Sequence, residues 1–438
     1  MGHLNDMKAE YRALQQRLDQ GPAGAPPREA LFDILLMLYT EDEARTAANM
    51  PWGPVSAGRL AARLKEPADT VRARLEGMCN KGLVFDFVNS ETGKARYVLA
   101  PAVVGFFEFT MMRVRDDFDQ AAMARALHEY MFEDRAFADT VFGQGDSVLG
   151  RAMVQEDLVP AADFTEILDY EKASWLIDEA GGGAVSTCYC RHKAEHLGHA
   201  CDHPQDICTS LQPAADFAIR RGFGRAAEPS ELKEILAMAR ERGLVQIADN
   251  VQKNPIYICH CCGCHCGQLL AISKFGLESA VRTSPCIATV DEQACNGCGR
   301  CARRCPIGAI SLEAKPRRPG HKVEMVAKIQ QDLCLGCAVC NAACHKKKAL
   351  SFPRRKERLL TPETTLDRIV MRAVETGSVH HLLWGHERSG TMAFLHRFVG
   401  AVERLPAVHR AMISRQIKSR FVAALGSGAK KTGQAPPI

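Results

Sequence analysis

Two short runs of cysteine carry the plainest chemistry in this chain. The first, Cys295-Asn-Gly-Cys298-Gly-Arg-Cys301-Ala-Arg-Arg-Cys305-Pro306, spaces its thiols as C-x2-C-x2-C-x3-C-P. The second, Cys334-Leu-Gly-Cys337-Ala-Val-Cys340-Asn-Ala-Ala-Cys344, repeats that spacing 39 residues on. The flanks repeat too. Ile287-Ala-Thr-Val290 precedes the first run and Val326-Ala-Lys-Ile329 the second; Ala309-Ile-Ser-Leu312 follows the first and Ala349-Leu-Ser-Phe352 the second. Three thiolates two residues apart on a tight loop can point at three irons of one cubane, and the fourth iron must be held from elsewhere. Gly297, Gly299 and Gly336 are placed to let the backbone pass close to such a cluster. Zinc, the competing metal, usually takes its ligands as two separated pairs.

A second set of thiols lies upstream. Cys188-Tyr-Cys190-Arg191 opens it, Cys201 and Cys208 follow, and Cys259-His-Cys261-Cys262-Gly-Cys264-His265-Cys266 places five thiols in eight positions. Such density brings thiolate repulsion unless a metal takes the charge. Thiolate-rich sites select iron–sulfur clusters or zinc. Each segment can hold a cluster by itself, or the two can share one cluster and one zinc, or one non-cubane cluster. Arg191 is placed to hydrogen-bond cluster sulfur or a ligand thiolate. His192, His196, His199 and His203 read as neighbours of the ligands rather than as ligands. Cys286 and Cys79 stand alone, Cys79 on the core-facing side of a helix.

Residues 288–352 resemble the bacterial-type two-cluster ferredoxin domain. The resemblance implies one [4Fe-4S] cluster on Cys295, Cys298, Cys301 and Cys344 and a second on Cys334, Cys337, Cys340 and Cys305. The chain departs from the pattern after Cys344, where His345 and Lys346-Lys347-Lys348 replace the usual proline. Those lysines are expected to favour the reduced state and to guide an acidic redox partner. Over about residues 165–352 the chain also resembles cytoplasmic iron–sulfur proteins of anaerobes, in which a C-x-C-R segment and a CNCCGCCC-like run precede such a domain. That likeness implies metal ligation at Cys188, Cys190, Cys201 and Cys208 and at Cys259, Cys261, Cys262, Cys264 and Cys266. His260 stands where Asn is usual and His265 where Cys is usual; His265 can ligate through nitrogen, although the position reads as dispensable to a cluster. The resemblance gives no reaction.

The elements that position these residues read as an α+β, multi-domain chain. Residues 1–27 are a helix and a Gly/Pro/Ala linker. In 28–104, helices at Ala30–Leu38 and 56–64 and a third from Pro67 precede strands at Leu83–Phe87 and Ala95–Leu99, with a hairpin loop at Asn89–Gly93. This order resembles the winged-helix domain. Such domains often bind DNA, yet residues 28–96 hold ten Lys/Arg against ten Asp/Glu, so only Arg72, Arg74 and Lys81 offer a local basic footprint. Residues 105–286 read as a helical and cysteine-rich metal-binding domain, mainly helical to residue 180. It includes an apolar helical run over 164–180 stopped by Gly181–Gly183, a strand at Ala184–Thr187 and a helix at Ser230–Arg242. The ferredoxin domain spans 287–352. A basic helical extension covers 353–425, with a stripe of Leu366, Ile369, Val370 and Val374 and a basic amphipathic helix at Pro406–Leu425. Residues 426–438 read as disordered.

The net charge of +5 is uneven: from Ser351 onward there are 15 Lys/Arg and 6 Asp/Glu. No apolar run reaches the roughly 18 residues that span a bilayer. The polar first twenty residues carry no secretory signal, and the 19 cysteines sit in metal-type groups, so a reducing cytoplasm is expected. No Gly-rich dinucleotide fingerprint follows a strand. The main reading is an iron–sulfur electron-transfer protein that needs a redox partner, with two ferredoxin-type clusters and one or two further clusters, or zinc, in the cysteine-rich region. One alternative is a redox-sensing, winged-helix DNA-binding regulator. Another is an oxidoreductase subunit with a substrate-accessible cluster near Cys259–Cys266.

Overall fold

The N-terminal third is built from amphipathic helices and one hairpin. The computed structural model describes residues 8–21, 23–143, 145, 147–158, 169–315, 324–344, 348–356, 361–384 and 398–402. Helices α1 (Ala9–Asp19), α2 (Glu29–Leu38), α3 (Glu41–Ala48), α4 (Ala57–Leu64) and α5 (Ala68–Lys81) lead into strands β1 (Val84–Val88) and β2 (Ala95–Leu99), with Val55 bridging to Tyr97. The expected helices and hairpin are present, and Cys79 is fully buried. Helix α3 was not expected from apolar periodicity. Its start is a capping box in which the Thr40 side chain and Glu43 satisfy each other's backbone N–H groups. The segment read as a linker is packed rather than free. Ala25 is fully buried, the Gln15 Nε2 donates to its carbonyl at 2.8 Å, and Arg17 Nη2 donates to the Met50 carbonyl at 2.7 Å. The candidate basic footprint is drawn into ion pairs: Arg72 with Asp69, Arg74 with Glu66 at 2.8 Å and Lys81 with Glu43 at 2.8 Å.

Helices α6 (Phe107–Met111), α7 (Gln120–Phe132) and α8 (Ala136–Val141) pack an aromatic cluster of Phe106, Phe107, Tyr130 and Phe137 under this unit. The stretch to residue 180 is not all helix. Strand β3 (Gly150–Ala152) precedes α9 (Ala173–Ala180), and residues 159–168, which hold the start of the expected 164–180 run, lie outside the described residues. The cysteine-rich middle is organised by a sheet, which the sequence signalled only at β4 (Gly183–Thr187). The rest follows as α10 (Tyr189–His196), β5 (Asp206–Leu211), α11 (Gln212–Arg220), β6 (Arg225–Ala227), α12 (Pro229–Glu241), β7 (Val245–Asp249), β8 (Tyr257–Cys261), α13 (Gly267–Phe275) and β9 (Val281–Arg282). The seven strands lie in the order β6-β4-β5-β8-β7-β3-β9, antiparallel except for the β3–β9 pair. One core, with Leu176, Ile177, Ile207, Leu236 and Ile258, packs α9 and α12 on the sheet. A larger core runs continuously from the N-terminal helices to the ferredoxin-like segment, and a small one gathers Ala373, Val374 and Val379.

That segment comprises β10 (Thr289–Val290), α14 (Arg300–Arg304), β11 (Ile310–Ala314), β12 (Met325–Ile329), α15 (Val339–Cys344) and β13 (Leu350–Ser351). The repeated flanks become paired strands: β10 with β13 and β11 with β12, so the strands of the two halves interlock. Helix α16 (Thr365–Thr376) buries Val370 and Val374 of the expected stripe, and with them Thr365, Arg368 and Arg372; α17 (Val379–Trp384) follows. His345, Lys346 and Lys347, the helix expected at 406–425 and the tail at 426–438 lie outside the described residues. No described helix is long and apolar enough to cross a membrane.

A buried charge joins the hairpin to the middle of the chain. Asp86 on β1, 2% exposed, accepts from Arg220 at 2.6 Å and Arg221 at 2.7 Å. Burial opposes its ionisation, but the two guanidinium hydrogen bonds hold the carboxyl below its usual range. Asp86→Ala leaves two arginines facing each other without their shared anion. It is expected to cost about 3–5 kcal/mol, read as a lowered Tm; a variant with the parent Tm would disprove the anchoring role.

Candidate metal centres

In the ferredoxin-like segment the thiols gather across the two runs. Cys301 has Cys295 and Cys344 as its charged neighbours, and Cys305 lies with Cys334, Cys337 and Cys340. Cys298, on the first loop, is exposed. Backbone N–H groups already point at two of the sulfurs, Ala327 to Cys295 Sγ at 3.5 Å and Ala309 to Cys305 Sγ at 3.3 Å. Burial pushes the Cys337 thiol up to about 12, so ionising it requires a cation. The loop glycines serve the protein's own backbone. At Gly336, with φ of 68°, a Cβ would lie 2.1 Å from the Cys286 carbonyl oxygen, and at Gly297 2.3 Å from that of Met325. Cys286 is thus placed at the wall of the Cys334 loop, and Arg355 donates to its carbonyl at 3.1 Å.

Upstream, six thiols close into a ring. Cys188 meets Cys190, Cys190 meets Cys266, Cys266 meets Cys261, Cys261 meets Cys259 and Cys259 meets Cys208; Cys208 in turn faces Cys188. Local structure explains the gathering. Cys259 and Cys261 alternate along β8 and so share one face, and Cys208 comes from the adjoining strand β5. Cys188 and Cys266 are the N-caps of α10 and α13, whose positive ends favour thiolate. Within the ring Cys190 and Cys259 are held well below the ordinary thiol range, chiefly by hydrogen bonds from Cys188 and Cys208 respectively. Cys188 and Cys266 are pushed well above it chiefly by Cys190, and Cys208 and Cys261 chiefly by Cys259.

Two buried cations attend the ring. Arg191, 2% exposed, spends two N–H groups on the carbonyls of Pro204 and His260, both at 2.6 Å, and lies in the field of Cys188, Cys262 and Cys261. Lys193, 4% exposed, faces Cys190 and Cys266, and burial pulls its ammonium down to about 8. Among the described residues neither cation forms an ion pair with a carboxylate. Isolated buried charges cost several kcal/mol, so the arrangement fits a ring that carries negative charge, as metal-bound thiolates do. The donor set suits an iron–sulfur cluster, with two thiols beyond the four a cubane takes, and also suits zinc.

The two upstream segments therefore do not keep to themselves. Cys201 leaves its own segment and lies with Cys264 and His265, whose ligand atoms are all within 4.8 Å of one another, and Cys262 lies against Cys264. The chain turns after β8, so Cys264 is exposed while Cys262 stays buried beside it and Cys266 returns to the ring. His265, which the sequence reading set aside, belongs to this outer group. Other histidines stay outside: His192 bonds the Met111 carbonyl at 2.8 Å and His196 at 3.2 Å, and burial holds His260 down to about 3. The cysteine-rich loop rests directly on the ferredoxin-like segment. A Cβ on Gly263 would sit 2.5 Å from the carbonyl oxygen of Pro306, the residue after Cys305. Arg304 of α14 also donates to the Arg242 carbonyl at 2.7 Å.

A large cavity, about 1380 Å3, opens beside the ring and is lined in part by Cys188, Cys190, Cys208, Cys259, Cys261 and Cys266. Sequence reasoning missed several of its walls: Glu108, Tyr257, Gln268, and Arg368 and Arg372 of α16. Their only sequence signal was a polar residue interrupting an apolar run. Residues 294–348 match the family model of the 4Fe-4S dicluster domain. Neither the curated proteins nor the solved structures compared with the chain gave a match. The matched segment makes the chain an iron–sulfur protein with a ferredoxin-like, 4Fe-4S-binding domain, and at that level an electron-transfer protein.

Burial raises the Glu108 carboxyl from 4.5 to about 8, against the pull of the Gly105 N–H. The folded chain then keeps a proton that the unfolded chain has released, so stability falls as pH rises between those two values. Glu108→Gln is expected to flatten the decline in Tm between about pH 5 and pH 8. Calorimetry of parent and variant across that range checks this, and an equal slope in both would count against it.

Proposed function

We propose that the chain moves single electrons between a redox partner and a third metal–thiolate centre, through two ferredoxin-type [4Fe-4S] sites. The ligand sets are Cys295, Cys298, Cys301 and Cys344 for the first site and Cys334, Cys337, Cys340 and Cys305 for the second. Bound there, clusters of this kind supply one-electron carriers. The third centre is assigned to the ring of Cys188, Cys190, Cys208, Cys259, Cys261 and Cys266. The observation that carries this reading is the burial of Arg191 and Lys193 against that ring without a carboxylate. The contact of Gly263 with Pro306 supports electron passage between the ring and the second site. The outer group of Cys201, Cys262, Cys264 and His265 is read as a separate, tetrahedral-type metal site, for which zinc is suited. Entry for the partner is read at the exposed Cys298, where Arg300 and Arg303 are also exposed; an acidic partner surface matches that charge. A cytoplasmic location agrees with the free thiols.

The cavity favours a second reading, an oxidoreductase component whose third centre meets a small molecule. A DNA-binding role has less support, because Arg74 and Lys81 are engaged with Glu66 and Glu43.

Anaerobically purified protein is expected to hold about twelve iron and twelve sulfide per chain, with the Cys261→Ala/Cys266→Ala double variant falling to about eight. A parent value of about eight would remove the third iron centre. Lys193→Met deletes a positive charge that favours the more negative, reduced state. One midpoint potential in an EPR-monitored titration is therefore expected to fall by about 60 mV, a tenfold shift for one electron. Unmoved potentials with unchanged iron would sink the pairing of Lys193 with a redox centre.

A further inference from the structure

The cavity beside the thiol ring exceeds the roughly 300–1,000 Å3 typical of small-molecule sites, at about 1380 Å3. Its chemistry is lopsided. Arg59, Arg63 and Arg96 reach it from α4 and β2, and Arg191, Arg368 and Arg372 from the sheet side and α16. Among the described lining residues there is one carboxylic acid, Glu108, and no aspartate. Much of the remaining wall is apolar, including Val103, Val104, Phe109, Met112, Phe142 and Leu149.

One face of α16 stands out within this wall. Thr365, Arg368 and Arg372 follow one another at helical spacing and are 6%, 7% and 5% exposed. Thr365 Oγ1, Arg368 Nε and Arg372 Nη1 each lack a hydrogen-bond partner among the described residues. A buried donor left unpaired costs about 1–3 kcal/mol, more when charged, so three on one face call for an acceptor. The net positive charge there is small. Arg368 already meets Asp249 at 3.2 Å, and Arg372 lies in the field of Glu375. A singly charged acceptor balances this face, whereas a phosphoryl dianion would be buried with too little compensation. Tyr257, which lines the cavity, has Asp249 and Arg368 and also Cys259 and Cys261 as charged neighbours, so it stands between the two ends.

We propose that the cavity binds an apolar organic carboxylate, its head group received by Thr365, Arg368 and Arg372 and its carbon body lying on the Phe109, Met112 and Phe142 wall towards Cys259 and Cys261. The outer arginines, Arg59 and Arg96, draw the anion in. Binding itself needs only the cavity. The inference rests on the third-centre reading solely for what the carbon body meets at the thiol end.

The test compares 1-pyrenebutyrate with 1-pyrenebutanol, which share a body and differ in the charged head. Each is titrated by fluorescence into full-length, anaerobic, iron-loaded protein. The acid is expected to bind at least tenfold tighter than the alcohol. Arg372→Met is expected to erase that preference while leaving alcohol binding unchanged. The near-isosteric Thr365→Val should narrow the preference, and Ile369→Trp, which fills the cavity, should weaken both ligands. Equal binding of acid and alcohol overturns the inference, as does a full preference retained in Arg372→Met with a native circular dichroism spectrum. If Arg372→Met fails to fold, the acid–alcohol ratio in the parent and in Thr365→Val decides. Iron analysis of the same samples keeps the two readings apart. Acid-selective binding with about eight iron per chain sinks the third iron centre alone, and no selectivity with about twelve sinks the carboxylate site alone.

Discussion

Negative charge held away from water is the constraint that the centre of this molecule answers. Six thiols in contact cannot all ionise, nor can they stay neutral if they bind metal. The fold meets that demand with cations and dipoles rather than with solvent. Arg191 and Lys193 are buried against the ring, and α10 and α13 both begin on it, so their positive ends converge there and their leading N–H groups donate to its sulfurs, Arg191 to Cys188, Gly267 to Cys190 and Leu269 to Cys266. Arg191 is held in place by the carbonyls of Pro204 and His260. The His260 carbonyl lies between the two ring cysteines of β8, so the strand that supplies the thiols also fixes their counter-charge.

The same strand sets the division of labour. Cys259 and Cys261 face the ring because β-strand side chains alternate. Where β8 ends at Cys261 the alternation ends too: Cys262 stays buried against Cys264, and Cys264 turns outward to meet Cys201 and His265. That turn is also the point of contact with Pro306, and Gly263 is there because any side chain would occupy the Pro306 backbone. A single loop of eight residues thus supplies the thiol ring, the outer group and the junction with the ferredoxin-like segment.

How much of this was legible in the sequence depends on how local each feature is. The ferredoxin-like segment was readable from its ligand spacing and repeated flanks, because that spacing is dictated by one short loop made twice; the pairing of the flanks as strands was not. The other N-terminal helices and the hairpin followed from periodicity and turn residues; α3 did not, because its signal is the Thr40–Glu43 capping box rather than an apolar stripe. The seven-stranded sheet was not legible. Its strands are two to six residues long, and in β5 and β8 cysteine stands where β-branched residues would have marked a strand. The partition of nine thiols into a ring and an outer group depends on strand pairing between residues about fifty apart, which no local pattern encodes. Nothing local marks Arg368 and Arg372, which fall beside the apolar stripe; the packing of α16 over Asp249 and the Thr140–Val141 carbonyls takes them inside.

The N-terminal unit gains a role from this arrangement that its own residues did not suggest. Its hairpin is fastened to α11 through Asp86, and its α4 and β2 present Arg59, Arg63 and Arg96 to the cavity that reaches the thiol ring. The unit spends helix charges on its own residues, with Arg74 on Glu66 and Lys81 on Glu43. The balance of ten basic and ten acidic residues over 28–96 is then the balance of a wall. Asp86 fastens its hairpin, Glu43 and Glu66 join its helices, and Arg59, Arg63 and Arg96 line the cavity.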